Sequence, residues 1–101
     1  MPRKGEVWAV NDVAPRAVLV ISGDMYNDLP DWPYVLTMEA IKTAEVAASA
    51  PIAVAIGADE FVLIDSIRRT AKPLFDRLLR RVDVQVISDV HNALFQILST
   101  N

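Results

Sequence analysis

The chain has 101 residues, a formal net charge of −3 and 52% hydrophobic side chains. This length predicts a single domain over residues 1–101, and a domain this small gains stability from forming a homodimer. The chain contains no cysteine, which excludes disulfides and thiolate chemistry. No apolar run is long enough to span a membrane, and no apolar signal segment follows the basic start, so we expect a cytoplasmic protein.

The first third of the chain predicts two adjacent strands joined by a short loop. A strand is predicted over Gly5–Val10 and a second over Ala17–Ser22, with the loop at Asn11–Pro15. The second run is continuously apolar and rich in β-branched residues, which is typical of a central strand covered on both faces. The segment 23–33 is rich in Asp, Asn, Gly and Pro and is predicted to be a loop.

The middle of the chain predicts a third strand and a hairpin. The third strand covers Tyr34–Ala40, and the composition of Ile41–Ala50 favours a helical turn. Two apolar runs, Pro51–Ile56 and Phe61–Ile64, flank a Gly-containing turn and are predicted to pair.

The last third is basic and then amphipathic. Ser66–Arg81 is interrupted by a proline and predicts a helical turn at 74–79 with an edge strand at 80–82. Asp83 is a suitable N-cap for a final helix over Val84–Leu98, in which an apolar stripe recurs at three- and four-residue spacing. We therefore expect a mostly β (α+β) fold: a small, twisted, antiparallel, barrel-like sheet of about five to six strands with a C-terminal helix.

Two segments resemble the MazF/PemK-type toxins of the CcdB/PemK-like superfamily. The first is Gly5-Glu-Val-Trp8, a short loop, Arg16, an apolar strand and Ser22-x-Asp-x-x-Asn27. The second is Phe61–Lys72, which is similar to the family segment where an apolar strand ends in Asp-Gln, followed by an apolar residue and Arg. The resemblance implies a homodimeric toxin that cleaves single-stranded RNA sequence-selectively without metal or other cofactor, and that a cognate antitoxin inhibits.

Metal-independent RNA cleavage needs a base for the 2′-hydroxyl, a cation for the phosphorane and an acid for the leaving 5′-oxygen. Arg16 is assigned charge stabilisation, because its planar fork matches phosphate oxygens. Asp65 is predicted to act as a base or to orient Arg16, with capping of a turn as the alternative. Asp12 and Glu39 are further candidate bases, although Asp12 also fits a simple turn residue.

A second set of residues is predicted to contact RNA. Trp32 lies in a polar segment and suits base stacking, whereas Trp8 suits the core. Asn27 either contacts RNA or bonds the backbone of its loop, and the single histidine, His91, suits packing. The predicted RNA-binding set is Ser22, Asn27, Trp32, Arg68 and Arg69.

The chain also departs from the family pattern. Ala17 follows Arg16 where proline is usual, Glu39–Ile41 stand where a threonine is expected, and Ser66 replaces the glutamine. The missing threonine, the short first loop and the net negative charge favour, as an alternative, a catalytically degenerate toxin-like binding module. A CcdB-like gyrase poison is a further alternative, although the chain lacks the Trp-Gly-Ile end of such proteins.

Overall fold

A computed structural model describes residues 2–42 and 52–99 of the chain. These residues form a mostly β structure that ends in one long helix. The elements are β1 (Glu6–Asn11), β2 (Pro15–Val20), α1 (Asp24–Asn27), β3 (Tyr34–Lys42), β4 (Ala53–Gly57), β5 (Glu60–Leu63), β6 (Arg68–Ala71), a 3₁₀ helix (Lys72–Leu74), β7 (Phe75–Arg81) and α2 (Val84–Ser99).

The strands form one antiparallel sheet of seven strands in the order β4-β5-β3-β2-β1-β7, with β6 beside β3. The nine-residue β3 pairs with β2 along one edge. Along its other edge it pairs with β6 through residues 34–37 and with β5 through residues 40–42. The predicted fold class is confirmed, although the sheet stays open and has more strands than expected.

The strand β2 lies at the centre of the sheet and is covered on both faces, as its apolar run predicts. Val18, Leu19 and Val20 are all fully buried, although successive strand residues point to opposite faces. Leu19 faces the main core, where it joins Val7 and Met38 beneath α2. A rigid central strand therefore carries Arg16 at its start.

The predicted final helix is confirmed as α2. Asp83 precedes it, and the Asp83 carbonyl accepts a hydrogen bond from Ile87 N at 3.3 Å. Val90 is fully buried in the core, and Ile87, Leu94 and Ile97 pack around it. Among the described residues, no helix has the length and apolar character needed to cross a membrane.

Four local predictions differ from the structure. The predicted loop 23–33 contains the short helix α1, and the helical turn predicted at 74–79 is wrong because Phe75–Arg81 form strand β7. Pairing of β7 with β1 overrides the local helical preference there. The strand β6 was not predicted. The helical turn predicted at 41–50 begins inside β3, and residues 43–50 lie outside the described residues.

The first strand begins one residue later than predicted because of Gly5. Its φ of 88° lies in the left-handed region that favours glycine. Gly5 N donates to Val20 O and Gly5 O accepts from Val82 N, both at 2.9 Å. The glycine thereby turns the chain into β1 while keeping its backbone polar groups paired.

Candidate active site

The tight β1–β2 connection brings Asp12 against Arg16. Asn11 pairs with Pro15, so only residues 12–14 form the loop. Arg16 Nη2 donates to Asp12 Oδ2 at 3.0 Å, and the backbone N–H of Val13 donates to Asp12 Oδ1. The Arg16 and Asp12 side chains keep 18% and 26% of their exposure, so the ion pair is partly buried but still open to solvent.

The Asp12 carboxylate is stabilised in its ionised form. The hydrogen bond from Arg16 lowers the pKa of Asp12 most, the Val13 backbone N–H adds to this, and the positive charge of Arg68 contributes as well. Asp12 therefore stays negatively charged at neutral pH and has little tendency to accept a proton.

A groove of about 230 Å³ opens beside this ion pair. We call it the arginine groove; its lining is Asp12, Val13, Ala14, Arg16 and Arg68. Two guanidinium groups and one carboxylate give it an excess of positive charge. Arg16 Nη1 is buried and has no hydrogen-bond partner in the described chain. The groove can therefore receive an anion such as a phosphate group.

A second groove, of about 400 Å³, adjoins the first at Arg68, which lines both. We call it the acidic groove; its lining is Glu39, Asp65, Ser66, Ile67 and Arg68. Asp65 is exposed on the turn after β5, and Glu39 is half-buried on β3. Two carboxylates capable of proton transfer thus lie next to the cationic groove.

Ser66 holds the turn that carries Asp65. Its hydroxyl accepts a hydrogen bond from Glu39 N and donates one to Leu63 O, each at 2.7 Å. This single side chain ties the end of β5 to β3. Ser66 therefore fixes the backbone beside the acidic groove, which it also lines.

Two buried threonines fix Arg68 at the junction of the grooves. Thr37 Oγ1 lies 2.9 Å from Thr70 Oγ1 and donates to Arg68 O at 3.4 Å. Thr37 and Thr70 are 0% and 2% exposed. They attach β6 to β3, and the Thr37 hydroxyl is used for this attachment and lines neither groove.

The predicted contact of Ser22 and Asn27 with RNA is corrected by their burial. Asn27 is 0% and Ser22 is 7% exposed, and the Ser22 hydroxyl donates to Asn27 Oδ1. Asn27 Nδ2 donates to Ser22 O at 3.0 Å and to Pro2 O at 3.3 Å, while Leu36 N donates to Ser22 Oγ at 3.0 Å. The pair attaches α1 and the start of the chain to β3, so both residues are structural.

The structure places Trp32 and Arg69 outside both grooves. Trp32 contacts Tyr26 and Tyr34 edge to face, with ring centroids 6.1 and 5.6 Å apart. The Arg69 guanidinium lies 4.4 Å from the centre of the Tyr34 ring. Neighbouring strand residues point to opposite faces of the sheet. Arg68 lines the grooves, and Arg69 therefore points away from them. This aromatic cluster is separate from the candidate catalytic residues.

The structure therefore unites Asp12, Arg16, Glu39, Asp65 and Arg68, and separates them from the other predicted contacts. Sequence reasoning missed Val13 and Ile67, which line the two grooves with exposed apolar side chains. Nothing in the sequence distinguishes such side chains from ordinary core residues.

Trp8 is half-buried and lies 5.7 Å from Phe75, ring centre to ring centre, but it lies outside the main core that the sequence predicts for it. His91 is exposed on α2 instead of packed as predicted, and partial desolvation together with the nearby charge of Lys4 lowers its pKa. Over residues 2–42 and 52–99, no cluster of three or more His, Asp or Glu side chains is arranged to hold a metal ion.

Comparison of the whole chain with solved structures shows that its fold is that of the MazF-type toxins. An endoribonuclease from a mycobacterial species, in complex with its cognate antitoxin, matches with a TM-score of 0.81 and 19% identity, over 100% of this chain and 98% of that one. A second mycobacterial endoribonuclease matches with a TM-score of 0.78 and 22% identity, over 96% and 90% of the two chains.

A MazE–MazF structure from Deinococcus radiodurans matches with a TM-score of 0.74 and 22% identity, over 99% of this chain and 97% of the other. Neither a sequence profile of a known protein family nor a curated protein sequence matches the chain. The fold inferred from the short motifs around Arg16 and Asp65 is thus confirmed by three-dimensional similarity, although the overall sequence identity is low.

Proposed function

We propose that this protein is the toxin of a toxin–antitoxin pair and acts as a sequence-selective, metal-independent endoribonuclease on single-stranded RNA. The observation that carries the proposal is the position of Arg16. Arg16 lines a groove that adjoins two carboxylates, and its buried Nη1 has no hydrogen-bond partner among the described residues. Similarity to endoribonuclease folds supports the same activity.

The two grooves can divide the work of RNA cleavage. Arg16 and Arg68 hold the scissile phosphate and stabilise the negative charge that develops on its oxygens. A carboxylate of the acidic groove, Asp65 or Glu39, accepts the proton of the 2′-hydroxyl as that oxygen attacks phosphorus. The bond from phosphorus to the 5′-oxygen breaks, and the leaving oxygen takes a proton from the second acid. The products are a 2′,3′-cyclic phosphate and a 5′-hydroxyl.

The basic segment 68–81 favours a polyanionic partner, but part of its positive charge is neutralised by ion pairs within the chain. Arg80 forms an ion pair with Glu60, and Arg81 pairs with Glu6 at 3.0 Å. Positive charge that is not used in these pairs remains at Arg68, which lines both grooves. RNA and an acidic segment of an antitoxin would compete for this surface.

A cognate antitoxin and a homodimer complete the proposal. Two of the structurally similar proteins are in complex with an antitoxin. A cytoplasmic toxin would need such an inhibitor, because uncontrolled RNA cleavage stops growth. Pairing of two chains would place two sets of grooves on one particle and lengthen the surface that contacts RNA.

A non-catalytic RNA-binding module is the second candidate. It is favoured by Glu39, which stands where the related toxins place a hydroxyl, and by the burial of Thr37. Such a protein would bind single-stranded RNA through Arg16 and Arg68 without cutting it. No feature of the described residues favours the gyrase alternative.

The two candidates are separated by incubating the purified protein with defined RNAs in EDTA and mapping the ends. We expect cuts at a restricted set of sequences, each leaving a 2′,3′-cyclic phosphate. DNA of the same sequence is the matched control and stays intact because it lacks the nucleophile. Binding of RNA without any cut would favour the non-catalytic module, and cleavage of the DNA would contradict the mechanism.

A further inference from the structure

Both carboxylate oxygens of Asp12 are engaged within the folded chain. Oδ2 accepts from Arg16 Nη2 at 3.0 Å, and Oδ1 accepts from the backbone N–H of Val13. One lone pair of each oxygen is thus directed toward a donor of the protein itself. A general base needs a lone pair directed at the substrate hydroxyl.

The charges around Asp12 oppose protonation from every element that faces it. Arg16 approaches from β2 and Arg68 from the start of β6, and both line the same groove as Asp12. The two other carboxylates of the site, Glu39 and Asp65, lie in the neighbouring acidic groove. Between two guanidinium groups, Asp12 stays ionised while Glu39 and Asp65 do the proton transfer.

The two terminal nitrogens of the Arg16 side chain differ in their hydrogen bonding. Its Nη2 is held by Asp12, and its buried Nη1 has no hydrogen-bond partner among the described residues. Arginine has a long, flexible stem, so one charge-assisted hydrogen bond at its tip determines which edge of the guanidinium faces the groove. The backbone beneath it is fixed, since Arg16 pairs with Val10 in the sheet.

We infer that Asp12 is a positioning residue that acts through Arg16, and that the base for the 2′-hydroxyl belongs to the acidic groove. This inference rests on the proposed function, because it assigns roles within the same cleavage reaction. It separates the roles of two neighbouring residues: Arg16 contacts the phosphate, whereas Asp12 contacts Arg16 and the backbone of Val13 and does not contact the substrate.

The test is single-turnover RNA cleavage measured from pH 4 to pH 9 for matched variants. Asp12→Asn retains an oxygen that can accept from Arg16, so we expect a loss within about tenfold and an unchanged acid limb. Asp12→Ala releases the guanidinium and should slow cleavage by roughly 10- to 100-fold, again with an unchanged acid limb. Removal of the true base, in Asp65→Asn or Glu39→Gln, should cost about 10²- to 10⁴-fold and abolish that limb.

A double-mutant cycle makes the test specific. If Asp12 acts only through Arg16, Asp12→Ala should have little further effect in an Arg16→Lys background, where the planar fork is already absent. Independent, multiplying effects of the two changes would overturn the inference, as would loss of the acid limb in Asp12→Asn. Failure of the wild-type protein to cut any RNA is a different result: it would overturn the proposed function and this inference with it.

Discussion

Arg16 is suited to bind an anion because only one of its two terminal nitrogens is hydrogen-bonded within the described chain. A guanidinium enclosed in a fully buried ion pair would be unable to bind phosphate, and one without an anchor would move freely in solvent. Arg16 keeps 18% of its side-chain exposure and donates through one terminal nitrogen to Asp12. The other terminal nitrogen, Nη1, is buried and has no acceptor in the described chain, so part of the hydrogen-bonding capacity of Arg16 is unused.

The Asp12–Arg16 pair makes a prediction about stability at different pH values. Because the pKa of Asp12 is lowered in the folded chain, chiefly by Arg16, its contribution to stability is present above the ordinary Asp pKa of about 3.9 and is lost as the pH falls below it. Asp12→Asn should therefore destabilise the protein at pH 7 and make little difference near pH 3. Urea unfolding of both proteins at the two pH values measures this.

The lowered pKa of Asp12 determines the sign of the expected change: the stability difference between the wild type and Asp12→Asn should shrink as the pH falls. Asp31→Asn, the same substitution at an exposed aspartate on the loop after α1, is the matched control. A difference between wild type and Asp12→Asn that grows on acidification would show that the carboxylate is not stabilised by Arg16.

At the scale of elements, Glu6 links three parts of the chain. Its carboxylate accepts from Arg3 N at 2.8 Å, from Trp8 Nε1 at 2.9 Å and from Arg81 Nη2 at 3.0 Å. The Glu6 side chain is only 4% exposed. It thus ties the turn before β1 to β1 itself and to the edge strand β7.

Removal of this carboxylate should therefore loosen β7. We expect Glu6→Ala to lower the free energy of unfolding by about 2–4 kcal/mol, because it leaves several donors unpaired at a buried position. Asp76→Ala, on the exposed side of β7, should change it by less than about 0.5 kcal/mol. Chemical denaturation compares the two, and equal effects would refute the linking role of Glu6.

The elements also show what the sequence could and could not predict. Strand β2 and helix α2 were predictable because their apolar periodicity coincides with the faces they bury. Strand β7 was not predictable along its length, because Asp76 to Arg81 are all exposed and no buried face leaves a periodic pattern in the sequence. Its extended form depends on pairing with β1, including two irregular registers that local propensity cannot reveal.

The candidate site was partly predictable for a similar reason. Arg16 and Asp65 follow from motifs, since each occupies a fixed place beside an apolar strand. The contact between Asp12 and Arg16 depends on the exact geometry of a three-residue loop. The burial of Ser22 and Asn27 depends on their bonding to each other and to Pro2. Such polar contacts between distant positions leave no periodic signal.

At the scale of the whole molecule, α2 presents a second, solvent-facing apolar surface. Phe95 and Leu98 are 69% and 73% exposed, on the side of the helix away from Val90 and the core. Large exposed apolar side chains of this kind commonly mark a protein interface. We expect them to be covered in a homodimer.

Sedimentation at micromolar concentration tests this expectation. The wild-type protein should sediment as a dimer, and the double change Phe95→Glu with Leu98→Glu should shift it toward the monomer. Val13→Glu is the matched control, since Val13 is fully exposed on the β1–β2 loop. A wild-type protein that remains monomeric at all concentrations would contradict the dimer.

The central claim is that Arg16 stabilises the transition state of RNA cleavage. Its most direct test is the single-turnover rate of cleavage in EDTA for Arg16→Ala beside Arg77→Ala, which removes an exposed arginine of β7 away from both grooves. We predict a fall of roughly 10²- to 10³-fold for Arg16→Ala, typical of losing one preorganised donor to a transition-state oxyanion, and a change of less than about threefold for Arg77→Ala. Equal rates for the wild type and Arg16→Ala would contradict the account.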